Sequence, residues 1–130
     1  MSTYLTLFPL AGPEDLKKDW VHCKDALTFD QNYGIFSQLG DLSHLRTPER
    51  SDILERPTIS SVELPKQLRI SIGNERGTKR QDAFGSLKFV YARQLRRLKL
   101  PKDGSPKNRA VKAYAAALPG NTPIVLFWES

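Results

Sequence analysis

At 130 residues, with 39% apolar and 26% charged side chains, the chain has the length of one domain and a composition that excludes intrinsic disorder. No window approaches the roughly 18 uninterrupted apolar residues of a spanning helix, and a lone cysteine, Cys23, excludes an intrachain disulfide and a multi-cysteine zinc site. The net charge of +6 is unevenly held: residues 1–65 carry 6 Lys/Arg against 10 Asp/Glu and residues 66–130 carry 14 against 4, giving −4 and +10. A concentrated basic half attracts polyanions, whereas docking of acidic onto basic halves would serve folding or assembly.

Residues 3–8, TYLTLF, predict a first strand closed by Pro9 and by Gly12-Pro13. Pro13, Glu14 and Asp15 suit a helix start, and Leu16 and Trp20 stand four apart on one face, so a short helix is expected to run to about Cys23. In residues 29–40, FDQNYGIFSQLG, Asp30 is placed as an N-cap, Tyr33, Phe36 and Leu39 recur at helical spacing, and Gly40 supplies a left-handed stop. Asn32 and Gly34 lower the propensity of that helix, which must owe its stability to packing its aromatic face.

Residues 43–65, with three prolines and no sustained period, predict a long central loop of the kind that carries function, with one helical turn near 48–54. Leu68, Ile70 and Ile72 alternate with Arg69 and Ser71 as in a strand with one wet face, and Gly73, Asn74 and Gly77 form a turn. Over residues 84–100, Phe84, Leu87, Tyr91, Leu95 and Leu98 make one helical stripe with Arg93, Arg96 and Arg97 on the reverse side; Phe89 and Val90 lie off the stripe. Ser105 as N-cap and Pro106 as first helical residue open a further helix whose expected apolar face is Ala110, Val111, Ala113, Tyr114, Ala117 and Leu118. Residues 123–128 read as a strand buried on both faces, beside the N-terminal strand. The expected fold is α+β: a single domain over residues 1–130, with a small sheet of three or four strands that includes both terminal strands, helices packed on it, and the long central loop.

The segment FDQNYGIFSQLGDL resembles the signature of small uncharacterised phage and prophage proteins, of the form Asp-Arg-Asn-Tyr-x-Leu-Phe-x-x-Leu-Ala. Asp30, Asn32, Tyr33, Phe36 and Leu39 match it; Gln31 stands in place of the Arg and Gly40 in place of the Ala. RPTISSVELPKQL is similar to that group's Arg-Pro…Leu-Pro-x-x-Leu linker, and NTPIVLFWES to its apolar C-terminal strand, so the resemblance is spread over residues 26–130. It departs at RQDAFGSLKF, which lacks the group's histidine-containing stretch. The resemblance implies a phage setting, with the host cytoplasm as the site of action, and no particular chemistry.

Catalytic candidates are sparse. His22 and Cys23 are adjacent and would diverge by about 100° on a helix, which does not build a base and nucleophile. His44 and Asp41, with the 43–65 loop, are the residues a small hydrolase or nuclease would use, but no metal-ligand spacing is present and no cofactor or metal is expected. GNERG lacks the Gly-Lys-Ser/Thr ending of a phosphate loop. The stronger candidate is a basic surface made by Arg76, Lys79, Arg80, Arg93, Arg96, Arg97, Lys99, Lys102, Lys107, Arg109 and Lys112, since cations of one sign with few acids among them point to a phosphate or carboxylate partner. Phe36, Phe84, Tyr91, Tyr114 and Trp128 are assigned to inward faces, which leaves Tyr33, with Asp30 and Asn32, as a candidate surface motif.

The leading expectation is a non-enzymatic phage-type protein that engages nucleic acid or an acidic face of a nucleoprotein complex, including as an inhibitor of host defence. The alternatives are the His44/Asp41 hydrolase and a self-assembling module that pairs acidic and basic halves. The N-terminal stretch MSTYLTLFPLAGPED has no basic leader, so a cytoplasmic protein without a membrane partner is expected.

Overall fold

Thr6 lies opposite Phe127 in an antiparallel ladder that joins strand β1 (Tyr4–Pro9) along its whole length to strand β9 (Pro123–Glu129). The computed structural model describes residues 2–102 and 104–130. Between those strands the chain forms β2 (Trp20–Cys23), β3 (Leu27–Thr28), α1 (Tyr33–Leu39), β4 (Val62–Glu63), β5 (Arg69–Ile72), β6 (Gln81–Asp82), β7 (Gly85–Ser86), β8 (Lys88–Tyr91), α2 (Ala92–Leu95) and α3 (Pro106–Ala117). The main sheet is antiparallel, in the order β3-β1-β9-β8-β4. Both terminal strands lie inside it as expected, but it has five strands in place of the three or four expected. β2 and β5 form a separate parallel pair, and β6 and β7 a hairpin.

Alternation along β1 and β9 sends successive side chains to opposite faces. Leu5, Leu7, Ile124, Leu126 and Trp128 meet residues of all three helices, together with Ile53 and Ile59 of the 43–65 segment. Phe8 and Val125 point the other way, onto Val21, Cys23, Leu68 and Ile70. The α+β domain therefore has three layers: helices, main sheet and the small parallel pair. In the second core Cys23 is buried, and that burial, with the negative charge of Asp15, pushes its thiol up to about 11, which keeps it protonated and unreactive at neutral pH.

Tertiary pairing overrides the local pattern in several places. The helix expected to reach Cys23 is a 3₁₀ turn over Pro13–Lys17, in which buried Asp15 accepts from the Ala11 amide at 2.9 Å and pairs with Lys18 at 2.7 Å. The expected 84–100 helix is a hairpin limb, a strand and a single helical turn: Gly85 has φ +115°, and β8 is held by β9 on one side and β4 on the other. The N-cap of α1 is Asn32, whose side chain accepts from the Ile35 amide at 2.9 Å, and not Asp30. Gly40 is extended, with φ −149°, and not left-handed; a Cβ there would sit 2.6 Å from the Trp128 ring. The 43–65 segment has a helical turn at Pro48–Arg50, within the stretch where one was expected, but it also holds a 3₁₀ turn at Ser43–Leu45 and edge strand β4, so it is not one irregular loop.

The last helix follows its sequence signals at both ends. Ser105 accepts from the Asn108 amide at 3.0 Å, Pro106 is the first helical residue, and the helix stops before Leu118. Its buried face is Asn108, Val111 and Ala115, so Tyr114 is 49% exposed instead of inward.

Candidate functional site

β5 ends at Ile72, the chain turns from Gly73, and after Gly77 it returns beside the strand. Both glycines have positive φ, 52° and 82°, which permits the tight reversal, and Ile70 and Lys79 exchange backbone hydrogen bonds of 3.1 and 2.7 Å. The GNERG segment is thus the turn its sequence suggests, with Arg76 exposed in it. The returning segment faces the stretch that leads from β4 into β5, and between them lies a cleft of about 610 Å³. Lys66, Arg69, Lys79 and Arg80 line it, and Glu63 is the single acid. Buried Leu68 and Leu87 also line the cleft and belong to the second core, which fixes the walls to the domain.

The cations of the cleft are only partly engaged. Arg80 donates one Nη2 hydrogen bond to the Lys66 carbonyl across the cleft, and Lys79 pairs with Glu75 at 3.1 Å while its ammonium lies 5.8 Å from the Phe127 ring centre. Lys66 and Arg69 have no carboxylate within 4.0 Å among the described residues. A guanidinium carries five donors, so Arg69 and Arg80 retain most of theirs for an incoming oxyanion.

Trp20 stands opposite Arg69 in the parallel β2/β5 ladder. Inward Val21 and Cys23 alternate with outward Trp20 and His22, and the indole is 55% exposed. His22 Nδ1 lies 2.7 Å from Ser71 Oγ on that same outer face, so this imidazole is held by a hydroxyl and not set beside Cys23. An open indole in register with a cleft-lining arginine joins a stacking surface to a phosphate-sized cationic site.

The other expected basic residues fall elsewhere. Arg93 lies 4.4 Å over the Tyr91 ring and donates to the Gly120 carbonyl at 3.4 Å; Arg96 donates to the Ala116 and Leu118 carbonyls at 3.1 and 3.4 Å. These two brace the C-terminal end of α3, where the exposed carbonyls favour a cation. Arg97 and Lys99 line a separate cavity near α1. Lys102 is exposed beyond Pro101, Lys107 approaches Asp30 at 4.0 Å, Arg109 donates to the Gly104 carbonyl, and Lys112 is half-buried on α3. The eleven cations thus occupy several places, and of them only Lys79 and Arg80 line the cleft, with Arg76 in the turn that precedes them. Lys66, Arg69 and Trp20 were not among the sequence candidates; the outward positions of the WVHC and LRISI alternations are the signal that marks Trp20 and Arg69.

Asp30, Asn32 and Tyr33 serve the fold. Asn108, buried within α3, accepts from the Asp30 amide at 2.7 Å and donates to its carbonyl at 3.2 Å. Asn32 caps α1, and the Tyr33 hydroxyl accepts from the Thr3 amide and from Gln31, both at 3.4 Å. Asp41 and Asp82 line a cavity of about 480 Å³ beside Trp128; both oxygens of Asp82 and Oδ1 of Asp41 accept hydrogen bonds within the chain. The Ser43 hydroxyl and amide hold Asp41 below the usual carboxylate range. Burial raises Asp82 above it against the opposing Trp128 and Phe84 amides. His44 is exposed in its 3₁₀ turn, and no group of three or more His, Cys, Asp or Glu among the described residues is arranged to hold a metal.

Comparison with protein-family models, curated proteins and solved structures gives no match to this chain. No helix of the described residues is long and apolar enough to cross a membrane. Fold and surface together define an α+β domain with a cationic cleft, one of whose arginines, Arg69, stands in register with Trp20.

Proposed function

We propose that the protein is a non-enzymatic binding domain for single-stranded nucleic acid, with the phosphate backbone tracking the Lys66, Arg69, Lys79 and Arg80 cleft and a base stacked on Trp20. The observation that carries this reading is the pairing of an indole left 55% exposed with a cleft-lining arginine in the same ladder. Phosphate binding needs cations free of the chain's own acids, and Arg69 and Lys66 meet that condition among the described residues. Only an unpaired base can reach a single indole on a strand, which favours single strands over duplex. The phage setting implied by the resemblance, including action against a host nucleoprotein complex, is part of the same proposal.

Trp20→Ala is expected to weaken binding of a labelled single-stranded oligonucleotide by about 1–3 kcal/mol, roughly 5- to 150-fold. The change should be much smaller for a duplex of the same sequence. Fluorescence anisotropy measures both. Equal affinity of wild type and Trp20→Ala for the single strand would remove the stacking role, and binding of acidic proteins with none of oligonucleotides would reassign the cleft.

A further inference from the structure

A third cavity, of about 410 Å³, lies on the helix side of the main sheet, lined by Gly34, Gln38, Leu54, Thr58, Ile59, Arg97 and Lys99. It is a built site, because three separate segments converge on Gln38. The Gln38 amide donates to the Gly34 and Lys99 carbonyls at 3.1 and 2.8 Å, and its oxygen accepts from the Lys99 amide at 2.9 Å. Its own carbonyl takes the Thr58 and Ile59 amides at 3.1 and 2.9 Å, and the Leu54 amide donates to Ser37 Oγ at 2.9 Å. These bonds hold the 54–59 strap against α1 and against the chain at 97–99.

The chemistry of the lining is two-sided. The lining is mostly apolar, with Leu54 and Ile59 in its walls, and Arg97 and Lys99, both solvent-exposed, complete it with two residues whose long stems end in cations. Neither head has a carboxylate within 4.0 Å or a side-chain hydrogen bond among the described residues. Asp52 lies beside Gly34 of the cavity wall, its carboxylate 3.5 Å from where a Cβ on Gly34 would stand, and would oppose a ligand with more than one negative charge. An apolar chamber with two unpaired cations fits a ligand with a hydrocarbon body and one anionic end.

We propose that this cavity binds an apolar monocarboxylate of medium-chain fatty-acid size, its hydrocarbon between Leu54 and Ile59 and its carboxylate on Arg97 and Lys99. The site is independent of the Trp20 cleft, so either can fail without the other.

The test is a titration of the full chain with decanoate, decanol and decylammonium below their aggregation limits, followed by amide chemical shifts. Saturable binding of decanoate, shifting residues 34–38, 54–59 and 97–99 and weakened at least tenfold in an Arg97→Gln/Lys99→Gln variant, is expected. Thr58→Trp, which fills the chamber while keeping both cations, should also remove it. Binding of decylammonium or decanol as tight as that of decanoate, decanoate binding untouched by both variants, or no saturable binding would each overturn the proposal.

Discussion

Changing Arg69 and Arg80 together to glutamate is expected to weaken single-stranded oligonucleotide binding by roughly 10²- to 10⁴-fold. Each substitution removes a charge-assisted hydrogen bond to phosphate worth about 1.5–3 kcal/mol and puts an anion in its place. Both residues are exposed, and among the described residues the only internal side-chain bond lost is that from Arg80 to the Lys66 carbonyl, so the melting temperature should change little. The lysine double variant keeps the charge and should retain most of the affinity, losing the bidentate share. A glutamate variant that remains folded and binds like wild type would place the site elsewhere. Arg93 and Arg96 are unsuited to such a test, because they donate to the Ala116, Leu118 and Gly120 carbonyls and their reversal would loosen α3 as well as alter the surface charge.

Phe36→Ala is expected to have the largest effect on stability, about 3–5 kcal/mol. The ring is fully buried and meets Phe29, Tyr33 and Trp128 edge to face, with centroids 6.4, 6.2 and 5.9 Å away. It joins α1 to the central strand β9, so its loss opens a cavity where helix and sheet meet. The urea midpoint should fall by on the order of 2 M. A loss below about 1 kcal/mol would be incompatible with such packing. Phe36 lies on the helix side of the main sheet and the cleft on the other, so the fraction that remains folded should bind oligonucleotide normally.

Elements whose local and tertiary preferences agree were legible in the sequence. Ser105-Pro106 opens α3, the unbroken apolar run 124–128 belongs to a strand buried on both faces, and β1 lies beside it. The stripe read across 84–100 misled because its members fall in different elements: Phe84 is exposed at the hairpin turn, Leu87 precedes β8, Tyr91 ends β8, and Leu95 lies in α2. Phe89 and Val90, off that stripe, sit on opposite faces of β8, and pairing with β9 decides the matter. Leu16 and Trp20 likewise stand four apart, but the parallel partner that draws Trp20–Cys23 into a strand lies 49 positions away in register, His22 against Ser71, and nothing local encodes it.

The same limit applied to the candidate site. Grouping by charge located Lys79 and Arg80, whereas Lys66 and Arg69 join them only because the chain reverses at Gly73 and Gly77. Arg93 and Arg96 look alike in sequence to the cleft cations, yet serve as helix braces. The sequence carries their charge but not the carbonyls that take up their donors.

The most direct measurement is the salt dependence of single-stranded oligonucleotide affinity between about 50 and 200 mM monovalent salt, by fluorescence anisotropy. With three to four phosphates neutralised by the cleft cations, log affinity should fall against log salt with a slope of about −2 to −3, and less steeply in the Arg69→Glu/Arg80→Glu variant. Affinity that does not change with salt, or the same slope in wild type and variant, would contradict phosphate binding in the cleft.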